Sequence, residues 1–334
     1  MRHINIPIFI PHLGCPNQCV FCNQRSISGV SEFQPESVKE TIEASLRTVD
    51  VGDDVEIAFF GGSFTGIDRN LMISLLQIAH SYVDAGKVNS IRCSTRPDYI
   101  TEDVLDILSE YGVKTIELGL QSTSDNVLKM TKRGHNFEAE RKSCQMIVDR
   151  GFDLVGQMMI GLPSSDVESE IKTAEFIIGC GASGARIYPT VVFRDTELCY
   201  LTEQGEYNPL DFEDAIIRSA TVLEMFIEAG VEVIRIGLQA SENLLDENCY
   251  YAGPNHPSLG EYVIGEVYYN KIRKLLNEKK ISEQCEIVVG VANGRLSQAV
   301  GQKKRNKIRL AEKYKKIRFV ESDKLRDYEV IVET

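Results

Sequence analysis

Three cysteines in one short stretch carry the strongest chemical signal of this sequence. Cys15, Cys19 and Cys22 form the pattern C-x3-C-x2-C in a stretch predicted to be a loop. Thiolates at short loop spacings hold iron–sulfur clusters, and a 4Fe-4S cluster usually takes four of them. Three thiolates leave one iron open to a substrate, much as a catalytic zinc ion keeps one position free. The spacing therefore predicts a cluster with one open coordination position.

Two other interpretations of the cysteine motif stay open. A zinc ion held by the three cysteines and by His12 or His3 would have a Cys3His ligand set, which is known in zinc sites. No second C-x2-C or H-x3-H pair accompanies the motif, as the usual zinc pattern would require. The last interpretation is three buried cysteines that are neighbours by accident. The other six cysteines are scattered singly, which is typical of small buried hydrophobic residues.

Composition limits the class of protein. The chain has 334 residues, of which 43% are hydrophobic and 26% are charged, a balance typical of soluble globular proteins. No apolar run reaches the length of a membrane span, and the first apolar stretch is too short for a secretory signal. Nine cysteines without a signal peptide favour reduced thiols. We therefore expect a cytoplasmic protein with no membrane partner.

Short β-branched runs alternate with longer amphipathic stretches over the first two thirds of the chain. This alternation is typical of repeated βα units on a parallel sheet. Helices are predicted between the strands, for example over 69–85 and 137–150. The six predicted strands are 4–10, 55–60, 91–95, 115–120, 154–160 and 185–191.

Polar residues gather where the predicted strands end. Gly61, Gly62 and Ser63 follow the second strand, and Gln121 follows the fourth. In barrels of parallel strands this edge carries the active site. The strands themselves read as apolar throughout, as in VEIAFF over 55–60, which suits a sheet covered by helices. We therefore predict an α/β fold with a full or partial barrel.

The regular alternation of strand and helix patterns ends after Val192. A helix over 212–229 and a strand over 231–238 are predicted in the next part of the chain, before a loop rich in glycine and proline. We predict a barrel over residues 1–240 and a small α/β appendage over 241–334. The net charge is −12, yet the segment from Lys303 to Arg318 carries nine basic residues and one acidic residue. That segment is predicted to be a basic helix with Val300, Ile308 and Ala311 facing the core. This segment either binds RNA or is a helix whose charged face is simply exposed to solvent.

The cysteine motif resembles that of the radical S-adenosylmethionine (SAM) superfamily, with Phe21 in the aromatic slot before the last cysteine. The resemblance implies a partial (β/α)6 TIM-like barrel that holds a 4Fe-4S cluster and SAM. It also implies that an electron from the cluster cleaves SAM into methionine and a 5′-deoxyadenosyl radical. An electron donor such as flavodoxin or ferredoxin would be the partner that reduces the cluster.

The resemblance extends to the strand ends. Gly61, Gly62 and Ser63 match the turn that meets the SAM amino group in the family. Gln121 and Arg133 resemble the SAM contacts of oxygen-independent coproporphyrinogen III oxidase and its relatives. Gln157 lies where those relatives place an Asp against the nucleoside. These residues, with Phe21, form the expected SAM site.

A closer similarity is to the radical SAM part of the Elongator catalytic subunit. It is carried by FFGGSFT (59–65), STRPDYI (94–100), ELGLQS (117–122) and ARIYPTVVFRDTEL (185–198). That family modifies the wobble uridine of tRNA and has an acetyltransferase domain after the barrel, which we do not expect in this chain. The resemblance implies a radical SAM enzyme in tRNA modification. Radical chemistry on a small molecule, and a non-catalytic iron–sulfur or zinc protein, stay open as alternatives.

Three residues near predicted loop ends are candidates for substrate chemistry. Tyr188 lies late in the sixth strand, where its hydroxyl either acts on a substrate or is paired in the core. Arg194 either contacts substrate or forms a surface ion pair with Asp195 or Glu197. His256, in a loop of glycine and proline, either exchanges protons near neutral pH or simply forms a turn.

Overall fold

Seven parallel strands form the main sheet of this protein. The structure is a computed structural model, and it describes residues 2–10, 13–15, 19–23, 33–238, 246 and 248–334. These strands lie side by side in the sheet in the same order in which they occur along the chain. The strands are β1 (His3–Ile10), β2 (Asp54–Gly61), β3 (Ser90–Thr95), β4 (Val113–Gln121), β5 (Asp153–Ile160), β6 (Gly184–Pro189) and, after the short β7 (Val192–Phe193), β8 (Glu232–Ile236).

Helices connect the strands and cover one face of the sheet. Several begin at a Thr, Asn or Asp side chain that accepts a hydrogen bond from the first turn, as Asp68, Thr101 and Asp211 do. None of the helices in the described ranges is long and apolar enough to cross a membrane. The helices of this layer are α1 (Val38–Leu46), α2 (Arg69–Asp84), α3 (Glu102–Glu110), α4 (Asp125–Met130), α5 (Phe137–Asp149), α6 (Val167–Gly179), α7 (Glu197–Glu203) and α8 (Phe212–Glu228).

The sheet curls into an open half-barrel. Its main core is formed by apolar strand residues such as Ile57 and Ile116 against helix residues such as Leu75 and Ile147. Within the described residues β1 and β8 each pair with one strand of this sheet, so the barrel does not close. The predicted partial barrel with a C-terminal appendage is confirmed. The strand predicted at 231–238 joins the sheet as β8 and extends it from six strands to seven.

The C-terminal part has a sheet and a core of its own. A short strand, β9 (Tyr250–Ala252), first pairs antiparallel with β7. The long helix α9 (Leu259–Glu278) then buries Val263 in the main core and Ile272 in the second core. Because α9 belongs to both cores, the division at residue 240 stays a prediction. The remaining elements are β10 (Glu286–Ala292), α10 (Leu296–Val300), α11 (Arg305–Ala311), β11 (Lys316–Ser322) and β12 (Val330–Glu333).

The predicted basic helix is wrong in one respect, because a turn at residues 301–304 divides it into α10 and α11. The buried residues of α10 and α11 are Ala299, Asn306 and Leu310. Ile308 and Ala311, expected in the core, lie instead on the exposed side of α11, and Val300 is half-buried. The face predicted to be in the core is therefore not the buried one.

Candidate active site

The cysteine loop is tied to the end of the neighbouring strand. The N–H of Gly62 donates to the carbonyl of Ile10 at 2.8 Å, and the N–H of Ser63 donates to the carbonyl of Leu13 at 3.1 Å. A Cβ atom at Gly62 would lie 2.0 Å from the carbonyl oxygen of Leu13. Glycine is needed here because the two backbones approach so closely. The glycine turn thus fixes the chain that leads into Cys15.

Two guanidinium groups lie beside the sulfur of Cys19. Arg133 Nη1 is 3.3 Å from Cys19 Sγ, while its Nη2 donates to the carbonyl of Gly119 at 2.5 Å. Arg96 Nη1 lies 3.8 Å from the same sulfur. Positive charge therefore surrounds a sulfur that carries negative charge when it binds a metal. Burial raises the pKa of Cys15, and Arg96 and Arg133 oppose that shift.

A chain of polar groups holds Arg96 in place. Its Nε and Nη2 donate to the two carboxylate oxygens of Asp98 at 2.9 and 3.0 Å. His135 lies 3.5 Å from Asp98 and 3.0 Å from Glu140, which is fully buried. Burial raises the pKa of Glu140 to about 7, and His135 opposes the shift. Glu140 thus lies behind the guanidinium at the cysteine loop, and Asp98 and His135 connect the two groups.

A cavity of about 560 Å³ opens beside the cysteine loop, inside the half-barrel. This volume is within the usual range of small-molecule and cofactor sites. Its wall contains one predicted cluster ligand, most of the expected SAM-site residues and one predicted substrate residue. They are Cys22, Phe21, Gly61, Gln121, Gln157 and Tyr188.

Gln121 has a backbone conformation that exposes its side chain to this cavity. Its φ of 73° is in the left-handed region, where residues other than glycine are uncommon. The pairing between β4 and β5 shifts register at the same point, between Gly119 and Gln121. The buried Oε1 atom of Gln121 has no hydrogen-bond partner among the described residues. A ligand with an N–H or O–H group would satisfy this acceptor, which is consistent with an amino acid or nucleoside in the cavity.

Glu117 is the centre of a buried ionic network on the cavity wall. Its carboxylate accepts hydrogen bonds from Arg186 Nε and Nη2 at 2.7 and 2.8 Å and from Arg92 Nη1 at 2.9 Å. Gln157 Nε2 donates to the same carboxylate at 2.8 Å. These charges hold the pKa of Glu117 below its ordinary value, although burial acts to raise it. Gln157 is thereby positioned by Glu117.

This network was not predicted from the sequence. The strands were expected to be apolar throughout, whereas five of them each direct a charged residue to the inside of the barrel. These residues are Glu56, Arg92, Glu117, Arg186 and Arg235. The signal was present as a charged residue between two apolar neighbours in each of these five strands. A sheet with an apolar face against helices and a polar face around a cavity explains that pattern.

The cavity wall has an excess of positive charge. Arg92 bridges Glu56 and Glu117, and Arg186 pairs with Glu117, so these charges largely balance. Arg235 also lines the cavity and has no carboxylate partner within the described chain. Tyr188 lies near Arg186 and Arg235, and burial raises the pKa of its hydroxyl. The cavity therefore offers a protonated tyrosine and a guanidinium to a ligand.

Other predicted site residues lie outside the cavity wall. The hydroxyl of Ser63 is buried 3.0 Å from that of Thr95 and accepts from the N–H of Arg96 at 3.2 Å. Arg194 is exposed and stacks on the ring of Tyr251, with 5.2 Å between the guanidinium carbon and the ring centroid.

His256 is also exposed and outside the cavity wall. Its ring packs against Phe212 and Tyr262, with centroids 5.3 Å from each, and its Nδ1 accepts from the N–H of Ser258 at 3.0 Å. A role of Arg194 or His256 in substrate chemistry stays a prediction.

The geometry gives no support to a single zinc ion. Among the described residues no three His, Cys, Asp or Glu side chains converge as ligands of one ion. His3 lies at the amino end of β1 and pairs with Asp54 at 2.9 Å, on the opposite edge from the cysteines. His12, the other expected ligand, lies outside the described residues. A cluster places each thiolate on a different iron, so the sulfurs need not converge on one point.

The half-barrel and its three-cysteine loop define an α/β enzyme class whose site lies at the carboxyl edge of the strands. The chain belongs to the radical SAM superfamily: residues 9–177 match that family, and residues 182–269 match the Radical_SAM C-terminal domain. It is therefore a radical SAM enzyme, and this family uses a 4Fe-4S cluster and SAM. The resemblance to the radical SAM superfamily that the cysteine motif indicated is therefore confirmed.

Several known proteins are similar to this chain. It is 27% identical over 239 residues to Protein YhcC of Escherichia coli K12, covering 68% of this chain and 75% of that protein. It is 31% identical over 184 residues to a tRNA uridine(34) acetyltransferase of Methanocaldococcus infernus, covering 49% and 34% of the two chains. The chain thus spans about a third of that relative.

Solved structures agree on the fold. The archaeal Elp3 of Methanocaldococcus infernus, without its N-terminal residues 1–46, has a TM-score of 0.63 at 21% identity, covering 84% of this chain and 63% of that one. Coproporphyrinogen III oxidase of Escherichia coli has a TM-score of 0.50 at 16% identity. That match covers 69% of this chain and 53% of the oxidase. At these identities the likeness shows the fold alone.

Proposed function

We propose that Cys15, Cys19 and Cys22 hold the 4Fe-4S cluster and that SAM binds in the adjoining cavity. The observation that carries this proposal is that Cys22 and the buried acceptor of Gln121 lie on the wall of one cavity. When bound, the cluster supplies one electron that divides SAM into methionine and a 5′-deoxyadenosyl radical, which takes a hydrogen atom from the substrate.

The chain's own residues bind and orient SAM in this proposal. Gln121 accepts a hydrogen bond from the ligand, and Gln157 presents its amide where Glu117 holds it. Phe21 and Gly61 shape the wall beside Cys22. The other three members of the SAM site, Gly62, Ser63 and Arg133, act behind the wall by holding the cysteine loop and Cys19.

We further propose that the substrate is a tRNA, modified at its wobble uridine. Relatives named tRNA uridine(34) acetyltransferase and Elongator complex protein 3 support this proposal. Arg235 supplies positive charge in the cavity, which suits a nucleotide, and Tyr188 supplies a hydroxyl that stays protonated near neutral pH. Arg194 and His256 would meet substrate outside the cavity. A flavodoxin or ferredoxin is the proposed electron donor.

The test is an anaerobic assay. The purified chain is reconstituted with iron and sulfide, mixed with SAM and a strong reductant, and assayed for 5′-deoxyadenosine with and without bulk tRNA. We expect 5′-deoxyadenosine above the level of a Cys19→Ala control, and stimulation by tRNA. Formation without stimulation would favour a small-molecule substrate. No 5′-deoxyadenosine from protein that holds a four-iron cluster would overturn the proposal and favour a structural or sensing role.

A further inference from the structure

The turn between α10 and α11 has an unusual backbone. Gly301 has a φ of 80°, and Lys303 and Lys304 have φ values of 52° and 63° with ψ values of 29° and 24°. Lysine rarely adopts this left-handed conformation, because its Cβ is crowded there. Two successive lysines in it turn the chain sharply and leave both side chains exposed.

The surroundings of this turn hold it in place. A Cβ atom at Gly301 would lie 3.1 Å from the side chain of Asn306. The Nδ2 of Asn306 donates to the carbonyl of Gly265 at 2.6 Å and to that of Ala299 at 3.1 Å. Asn306 is buried, so this contact joins the turn to α9 and α10. The turn is therefore built by buried contacts and is not a loose surface loop.

The topology around the turn is β-α-α-β. Strands β10 and β11 are parallel neighbours, and α10 and α11 connect them through residues 301–304. Ala299 of α10 and Leu310 of α11 are buried with Val289 and Ile317 of the strands. KH modules hold the backbone of about four nucleotides of single-stranded RNA on a G-x-x-G turn. Here Gly301 opens such a turn, and Lys304 adopts at its end the conformation that the second glycine would permit.

The charges around the turn divide into two groups. Arg305 pairs with Glu213 at 2.7 Å and Arg309 pairs with Glu266 at 2.5 Å, so these two arginines attach α11 to α8 and α9. Lys303, Lys304 and Lys307 are exposed and form no ion pair with any carboxylate of the described chain. Positive charge without an internal partner is available to an anionic ligand.

An apolar residue lies among these lysines. Ile308 is 56% exposed, although isoleucine is usually buried. It is four residues after Lys304, which directly precedes α11, and it is the neighbour of Lys307 in the chain, so it lies close to both lysines. An exposed apolar side chain between phosphate-binding charges suits a nucleotide, which presents a base beside its phosphate. A duplex, whose bases are stacked inside, would leave Ile308 without a partner.

The ion pair of Arg305 also places the turn relative to the cavity. Glu213 is in the first turn of α8, which returns the chain from the carboxyl end of β6 to the amino end of β8. The start of α8 therefore lies at the carboxyl edge of the sheet, where the cysteine loop and the cavity open. A strand of RNA held at residues 301–304 would lie on the active-site side of the barrel.

From these contacts we infer that the Gly301–Lys304 turn, with Lys307 and Ile308, is a clamp for single-stranded RNA. The inference deepens the proposed function, on which it rests for the identity of the RNA. Lys303, Lys304 and Lys307 would bind phosphates, and Ile308 would contact a base.

The test measures binding by the full chain without SAM or turnover. Fluorescence anisotropy follows a labelled twelve-nucleotide single-stranded RNA, a duplex of the same length and a tRNA anticodon stem-loop. The test variant is Lys303→Glu with Lys304→Glu. The matched control is Lys313→Glu with Lys315→Glu, which makes the same charge change at exposed residues of the same segment but outside the turn. Thermal unfolding checks that both variants fold.

We expect the turn variant to bind single-stranded RNA at least about tenfold more weakly than the wild type. The slope of log affinity against log salt concentration should become shallower by about 1.4, which corresponds to the loss of two phosphate contacts. The control is expected to change less than about threefold. Ile308→Ser tests the base contact and is expected to weaken binding with little change in the salt slope. Wild-type affinity in the turn variant, equal losses in both charge variants, or preference for the duplex would overturn the clamp.

The two proposals fail separately. RNA binding that depends on the turn, in a protein that forms no 5′-deoxyadenosine, would leave the clamp in place and overturn the proposed activity. Activity that tRNA stimulates, together with RNA binding that does not depend on the turn, would overturn the clamp and leave the proposed activity in place.

Discussion

Arg186 and Glu117 form a two-point ion pair inside the half-barrel, with Nε 2.7 Å from Oε2 and Nη2 2.8 Å from Oε1. They come from β6 and β4, which are not neighbours, because β5 lies between them in the sheet. Gln157 of that middle strand donates to the same carboxylate. One buried carboxylate thus orients side chains from three strands around the proposed SAM cavity.

Replacing Glu117 with Gln should destabilise the barrel. The carboxylate is fully buried, and its loss leaves Arg186 without a carboxylate partner in the described chain. Removing one partner of a buried ion pair typically costs about 3–5 kcal/mol. Urea unfolding of Glu117→Gln would measure this loss, with the exposed Glu232→Gln as control. A loss below about 1 kcal/mol for Glu117→Gln would contradict the role assigned to this network.

We expect cluster loading to depend on Cys15, Cys19 and Cys22 and on none of the other six cysteines. We expect Cys19→Ala to lose most of the iron and sulfide of the reconstituted protein while it stays folded, because the barrel core does not include this loop. Cys285→Ala, in the turn before β10, is the matched control and should keep its iron. Full iron content in Cys19→Ala, measured by colorimetric iron and sulfide assays, would contradict the ligand assignment.

The close approach at Gly62 predicts a steric effect on the same loop. A Cβ atom there would lie 2.0 Å from the carbonyl oxygen of Leu13, so Gly62→Ala must push the cysteine loop away. We expect at least a twofold drop in iron content on reconstitution. Gly179→Ala is the control, since no atom lies within 4 Å of its added Cβ. Equal iron in the two variants would show that the glycine turn does not position the loop.

Tyr188 should affect RNA-stimulated turnover more than the SAM cleavage that occurs without RNA. Burial raises the pKa of its hydroxyl, so the group stays protonated at neutral pH and can donate a hydrogen bond. We expect Tyr188→Phe to reduce RNA-stimulated turnover about tenfold or more, equivalent to about 1.4 kcal/mol. Tyr200→Phe, at a residue that is 59% exposed, should have no effect. Equal turnover of Tyr188→Phe and the wild type in the 5′-deoxyadenosine assay would exclude this role.

Glu140 should make stability depend on pH. Its pKa rises from 4.5 to about 7 in the fold, so between these values the native protein keeps a proton that the unfolded chain has released. Stability should therefore fall as the pH rises through this window, by at most about 3 kcal/mol. Glu140→Gln should remove that part of the pH dependence, as followed by urea unfolding at pH 4.5, 6 and 7.5.

The control for this effect is Glu110→Gln, which changes an exposed carboxylate. Its stability should vary with pH as that of the wild type does. A Glu140→Gln profile parallel to the wild-type profile would mean that Glu140 does not titrate in this window.

Much of the fold could be predicted because its signals are local. The six strands predicted for the barrel correspond to β1–β6, since β-branched runs and helix caps act within a few residues of the chain. The cysteine spacing and the polar strand ends identified the site for the same reason. The helical pattern failed at residues 301–304, where two lysines adopt a conformation that local propensity does not favour.

By itself the sequence determined the family, the order of the barrel strands and the cysteine loop, because these are written in spacing and periodicity along the chain. Only the tertiary structure decided which polar residues meet. It joined Glu117 to Arg186 across 69 residues and brought Cys22, Gln121 and Tyr188 to one cavity. It also left Arg194 and His256 outside the cavity wall and exposed Ile308 beside the lysines. These outcomes depend on strand register and packing, which bring together residues that are far apart in the chain.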